Sequence, residues 1–128
     1  MPKVLIVDDD RALVLALTTR LRAVGMEVVG SSDAHEAASL AMSERPDVIL
    51  LDVHMPHYNG LEFHECLSYT ERGRRIPVIY LSGSTNFSER QAAISQGAKA
   101  FLTKPYELQV VLAAIRSVLG DCNAAKAG

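Results

Sequence analysis

Val4-Leu5-Ile6-Val7, followed at once by Asp8-Asp9-Asp10, sets four branched apolar residues directly against three carboxylates. A short, continuous apolar run of this kind reads as a strand buried on both faces, the environment of a parallel sheet covered by helices on either side. Leu13, Leu17, Leu21 and Val24 then recur at the spacing of one helix face, and Gly25 stands where it would end that helix. Strand then helix is the first unit, and the rest of the chain repeats it.

Val28-Val29 reads as a short second strand. Asp33 with Glu36 has the pattern of a capping box opening a helix through Ala37, Ala38 and Ala41, and Pro46 closes that segment. Val48-Ile49-Leu50-Leu51 is a third buried strand. Residues 53–60 contain Pro56, Asn59 and Gly60 and read as a loop, followed by a short helix carrying Leu61, Phe63 and Leu67. Glu71 to Arg75 read as charged and exposed. Pro77 leads into a fourth strand, Val78-Ile79-Tyr80-Leu81. A polar loop from Ser82 to Asn86 precedes a helix that Gly97 terminates, and Ala100-Phe101-Leu102 is the fifth strand. After Lys104-Pro105, the residues Leu108, Val111, Leu112, Ile115 and Leu119 form a last amphipathic helix, which Gly120 is expected to end and which Tyr106-Glu107 leaves without a strong N-cap. Five strand–helix repeats predict an α/β fold, a doubly wound parallel sheet with helices on both faces and right-handed crossovers. Residues 1–120 are expected to form one domain, with 121–128 a flexible tail or the start of a linker.

Length and charge narrow the function. A chain of 128 residues, 48% hydrophobic and 22% charged, suits one domain with one core. The formal net charge of -2 gives no basic face for direct nucleic-acid binding and no polybasic patch for a membrane. Cys66 and Cys122 match no zinc pattern and read as reduced thiols in a cytoplasmic protein. Lys3 is followed by only four apolar residues, too few for a signal peptide, and no apolar run approaches the ~20 residues of a membrane span.

In a sheet of this type ligands bind beyond the carboxyl ends of the strands. Asp8, Asp9 and Asp10 follow the first strand, Asp52 the third, Ser82 the fourth and, just past the fifth, Lys104. Asp10 alone reads as a helix cap. Converging carboxylates repel one another unless a cation neutralises them, and a hard divalent ion such as Mg²⁺ takes carboxylates, waters and phosphate oxygens as ligands. A carboxylate beside such an ion can act as a nucleophile toward phosphorus, giving an aspartyl phosphate. Lys104 would supply counter-charge and Ser82 a hydroxyl to the added group.

With these residues in place the chain resembles the receiver domains of bacterial two-component response regulators, the chemotaxis regulators among them. The matching stretches run in order from Val4 to Leu119: Val-Leu-Ile-Val-Asp8-Asp9, Leu51-Asp52-Val53-His54-Met55-Pro56 through Asn59-Gly60, Tyr80-Leu81-Ser82-Gly83, and Phe101-Leu102-Thr103-Lys104-Pro105. The resemblance implies a flavodoxin-like strand order 2-1-3-4-5. It implies Asp52 as the phosphoacceptor, with Asp8, Asp9, Asp52 and the backbone carbonyl of His54 around Mg²⁺, for which Mn²⁺ can substitute. Ser82 and Lys104 would assist the transfer. Ser82 and Phe101 would switch position together, and the Lys104–Pro105 bond would be cis. His54 and Ser84 occupy the variable positions that influence dephosphorylation. The implied partners are a sensor histidine kinase or histidine phosphotransfer protein and a downstream protein or C-terminal output domain; a homodimer through the last helix is compatible with the pattern. The implied activity is that of a signalling switch that also phosphorylates and dephosphorylates itself.

Other functions compete. Val7-Asp8-Asp9-Asp10 also fits the first motif of phosphatases of the haloacid dehalogenase type, but their later acidic motif is missing and Asp52 would be unexplained. A flavodoxin-like nucleotide binder would need a phosphate loop where three aspartates stand. A degenerate receiver used only for protein binding would show neither Mg²⁺ dependence nor an acyl phosphate. His35, His57 and His64 invite a metal or phosphohistidine reading, but the pattern implies no carboxylates converging on them; His57, near the Asp52 loop, could tune the site's response to pH.

Overall fold

The structure is a computed structural model that describes residues 2–55, 58–83 and 87–127, with side chains for all of these except 54, 55, 58 and 121–127. Its central sheet is built from β1 (Lys3–Val7), β2 (Glu27–Ser31), β3 (Val48–Asp52), β6 (Val78–Ser82) and β7 (Ala100–Thr103). Every pairing in it is parallel, and the order across it is β2-β1-β3-β6-β7. This is the expected 2-1-3-4-5 arrangement. It brings the carboxyl ends of β1, β3, β6 and β7 to one edge, because Val7 pairs with Leu51, Asp52 with Leu81, and Ser82 with Thr103.

The pleat explains why the strand runs are apolar without alternation. Leu5, Val7, Ile49, Leu51, Val78 and Tyr80 face one core, shared with Ala37 and Ala41 of α2 (Ala34–Ser43), Phe63 of α3 (Gly60–Leu67) and Ala93 of α5 (Phe87–Ser95). Val4, Ile6, Leu50, Ile79 and Leu81 face the other, against Leu17 and Leu21 of α1 (Arg11–Ala23) and Val111 and Ile115 of α6 (Leu108–Ala127). Each strand residue thus meets helix on its own side, and full burial of both sides is what removes polar positions from the runs.

The helix starts follow their caps. Asp10 accepts from the Leu13 amide, and Asp33 accepts from the His35 amide. Gly25 and Gly97 take positive φ, 91° and 102°, at the helix ends where they were expected.

Four local readings change. The second strand is longer than Val28-Val29, because Glu27, Gly30 and Ser31 continue its pairing with β1. Within residues 53–60, β4 (His54–Met55) and β5 (Tyr58–Asn59) form a small antiparallel hairpin rather than an open loop. The charged segment after α3 is a turn of helix, α4 (Glu71–Arg75), capped by the Thr70 hydroxyl, which accepts from the Gly73 amide at 2.9 Å. Its charged side chains are exposed as expected, but Gly73 is buried, and a Cβ there would collide with the Leu67 carbonyl oxygen. Last, Gly120 does not end α6, which continues to Ala127. Gly120 lacks the positive φ that a terminating glycine needs, and a helical glycine costs only about 1 kcal/mol.

Candidate functional site

Asp8 extends β1 by one residue: its amide donates to the Ser31 carbonyl at 3.1 Å, so the sheet itself holds it at the edge. One Asp8 carboxylate oxygen accepts from the Asp10 amide at 2.9 Å, which tightens the turn into α1. Asp8 is wholly buried and Asp52, the last residue of β3, is 4% exposed, whereas Asp9 is open to solvent. Carboxylate oxygens of Asp8, Asp9 and Asp52 all lie within 4.8 Å of one another.

Lys104 enters from the far side of the sheet. Its amide donates to the Ser82 carbonyl at 2.6 Å, and its bond to Pro105 is cis, as the resemblance implied. Its ammonium donates to Asp8 Oδ2 at 2.8 Å and lies 3.5 Å from Asp52 Oδ1. Burial pulls the Lys104 pKa down, but the hydrogen bond it donates to Asp8 and the charges of Asp52 and Asp8 outweigh it, and the net shift is upward. The ammonium therefore stays charged.

Three carboxylates against one ammonium leave an excess of two negative charges in a mostly buried cluster. The donors are all hard oxygens, and their charge excess equals that of a divalent cation, so the residues present fit Mg²⁺. Ser82 is wholly buried at the end of β6, and its hydroxyl donates to Glu89 Oε1 in the first turn of α5 at 2.7 Å. Phe101 stacks on Tyr80, with ring centroids 6.2 Å apart and planes 26° from parallel.

The structure thus brings Asp8, Asp9, Asp52 and Lys104 together and sets Ser82 on the neighbouring strand end. His54 lies in β4, two residues past Asp52, with its side chain outside the described residues; Ser84 and His57 also lie outside them. His35 is exposed on α2. His64 is a core residue: it is buried on α3, with Nδ1 2.9 Å from the Tyr80 hydroxyl, and it joins no metal-binding group among the described residues. Burial pushes the His64 pKa down and that of Tyr80 up. Cys66 is exposed on α3.

Two residues at the site escape a sequence reading. Glu89 is one. The other is Tyr106, whose buried hydroxyl has no hydrogen-bond partner among the described residues. Burial first, then the nearby charges of Asp8, Asp10 and Asp52, push the Tyr106 pKa up to about 12.

A family model described as the response regulator receiver domain matches residues 4–116. The chain belongs to the response regulator receiver family. It is 38% identical over 117 residues to response regulator MprA of Mycolicibacterium vanbaalenii, a match covering 91% of this chain and 50% of that protein. The MprA protein of Mycobacterium avium matches to the same extent. The chain therefore spans about half the length of these curated relatives. Among solved structures, the chemotaxis protein CheY4 of Vibrio cholerae superposes with a TM-score of 0.87 at 31% identity, over 92% of this chain and 98% of that one. A CheY-like receiver domain protein from Methanospirillum hungatei gives a TM-score of 0.90 at 25% identity, over 98% of each chain.

Receiver domains are signalling switches of two-component systems, and phosphorylation on an aspartate is the family's general function. They generally bind Mg²⁺, consistent with the acidic cluster of this receiver. Membership displaces the phosphatase and nucleotide-binding alternatives. No helix among the described residues is long and apolar enough to cross a membrane.

Proposed function

We propose that this receiver accepts a phosphoryl group on Asp52 from a phosphohistidine of a sensor histidine kinase or histidine phosphotransfer protein. The observation that carries the reading is the approach of Asp8, Asp9 and Asp52 to within 4.8 Å of one another, with the Lys104 ammonium bridging two of them. Asp52 is taken as the acceptor because it ends a central strand, buried between the strand ends that carry Asp8 and Ser82, with the Lys104 ammonium 3.5 Å from its Oδ1. Asp8, Asp9, Asp52 and the His54 backbone carbonyl would hold Mg²⁺, or Mn²⁺ in its place. When bound, the ion neutralises phosphoryl oxygens as charge builds up in the transfer.

An Asp52 carboxylate oxygen forms the new bond to phosphorus as the phosphorus–nitrogen bond to the donor imidazole breaks. Lys104 turns its ammonium from Asp8 and Asp52 toward a phosphoryl oxygen, and the Ser82 hydroxyl donates to another. Small acyl phosphates serve as alternative donors, and water later cleaves the acyl phosphate, with His54 and Ser84 setting how readily it reaches phosphorus. Ser82 and Phe101 carry the change to the face made by α5, β7 and α6, which a downstream protein, a C-terminal output domain or a second copy of the chain reads. Residues 1–120 form the receiver and 121–128 lead away from it, as a tail or linker. The net charge of -2 favours a cytoplasmic protein partner over nucleic acid or membrane.

The test is incubation with acetyl phosphate, with and without Mg²⁺, followed by intact-mass measurement. One phosphoryl group is gained only with Mg²⁺, and not in Asp52→Asn. An adduct that survives in Asp52→Asn overturns the assignment. Absence of any adduct, together with failure to bind the phosphoryl mimic beryllofluoride, indicates the degenerate, binding-only receiver.

A further inference from the structure

Ser82 has one proton to donate, and it is already committed. The hydroxyl sits wholly buried at the end of β6, one residue past Leu81, which pairs with Asp52. Its bond runs 2.7 Å to Glu89 Oε1, a short contact between a neutral donor and a carboxylate, the stronger kind of hydrogen bond. Glu89 lies in the first turn of α5 and is itself half-buried.

Among the described residues, α5 buries little apolar surface. Ala93 is its one fully buried residue among those described, while Phe87 is 72% and Ile94 50% exposed. A single methyl in the core secures a helix weakly, so a charge-assisted bond from its first turn to the sheet edge adds materially to its attachment.

We propose that Glu89 is a latch, a positioning residue that holds the Ser82 hydroxyl away from Asp52 and ties α5 to the sheet in the unphosphorylated protein. This rests on the reading of Asp52 as phosphoacceptor. A phosphoryl oxygen on Asp52 competes with Glu89 for the same proton, and the two acceptors cannot both have it. Occupation of the site by the phosphoryl group breaks the tether and leaves a carboxylate facing a new dianion, which repels it. The first turn of α5 is released by the event that completes the site. Conversely, the bond to Glu89 must be given up whenever the phosphoryl state forms, so the latch lowers the site's affinity for anything that needs the Ser82 proton.

The experiment measures beryllofluoride affinity in the presence of Mg²⁺ for the wild-type chain, Glu89→Ala, Glu89→Gln, Ser82→Ala and the double variant Ser82→Ala/Glu89→Ala. The latch predicts binding roughly 5- to 30-fold tighter in Glu89→Ala. The gain is smaller in Glu89→Gln, whose neutral amide oxygen still accepts the proton. Glu89→Ala gives a clearly smaller gain when added to Ser82→Ala, where only the repulsion by the carboxylate is relieved and no proton is freed. Unchanged or weaker binding in Glu89→Ala overturns the proposal, and so does an equal gain in the Ser82→Ala background, which would place the effect of Glu89 elsewhere. Amide hydrogen exchange in the metal-free protein reads the latch without any ligand: α5 exchanges faster in Glu89→Ala and Ser82→Ala, to the same extent. Wild-type protein that binds no beryllofluoride contradicts the Asp52 reading, and the exchange result then decides the latch alone, with unchanged α5 protection overturning it.

Discussion

Lys104 and Tyr106 stand two residues apart with opposite surroundings: the ammonium has two carboxylates, the buried phenol has no partner among the described residues. Lys104 could be picked out in the sequence because it follows a strand run directly, as do Asp8 and Asp52. Backbone continuity fixes where such residues go. Glu89 could not, since its meeting with Ser82 depends on how α5 lies across the sheet edge, and no spacing encodes that. His64 was legible only as a histidine on a short helix; its burial against Tyr80 makes it a pH-sensitive part of the core. The folded-state pKa lies below the unfolded value of 6.5, so the unfolded chain binds a proton that the native one refuses. Stability is therefore full above pH 6.5 and falls as pH drops from there through the folded pKa. Urea unfolding between pH 7.5 and 5.5 should show this loss, and His64→Gln should remove that share of the slope. Identical slopes in the two proteins would refute the assignment.

The elements that sequence pattern located well are those with a long period or a strong cap: β1 with its four apolar residues, α1 behind Asp10, α2 behind Asp33. The β4–β5 hairpin was missed because two-residue strands carry no period, and α4 because its exposed charges mask the Thr70 cap. The start of α3 matters most for the site. A Cβ on Gly60 would lie 2.6 Å from the Asp52 carbonyl oxygen and 2.9 Å from Val53 Cα, both backbone atoms that cannot swing aside. α3 is thus seated directly on the backbone of Asp52. Gly60→Ala is expected to destabilise the fold by about 1–3 kcal/mol and to slow phosphorylation by displacing Asp52. Gly83→Ala, where a Cβ meets nothing within 4 Å, should leave stability unchanged. Chemical denaturation and phosphorylation by acetyl phosphate, compared in the two variants, would expose an error in either expectation.

At the scale of the molecule, the doubly wound sheet was legible because the central strands β1, β3 and β6 are covered on both faces, and the division of Val4 and Ile6 from Leu5 and Val7 into separate cores is the pleat expressed in packing. The extent of α6 was not legible, since glycine in a helix interior is tolerated at modest cost. The site's charge excess has a global effect. A cation that binds only the folded arrangement stabilises the whole chain, by about 1.4 kcal/mol at ten times its dissociation constant. Mg²⁺ should raise the unfolding midpoint, a chelator should reverse the gain, and Asp9→Ala should abolish most of it. A midpoint indifferent to Mg²⁺ would show that the cluster does not hold the ion in the folded protein.

The contact between Asp8 and Lys104 joins residues 96 positions apart, from opposite ends of the chain's strand series. A polypeptide still emerging from the ribosome has made Asp8, Asp9 and Asp52 long before Lys104 leaves the exit tunnel. Until the last strand docks, Asp8 and Asp52 lack the Lys104 ammonium and the β6 edge is unpaired. Under the proposed assignment of Asp52, a chain still short of its last strand presents its carboxylates without the Lys104 ammonium beside them, so the site is complete only when synthesis has nearly ended.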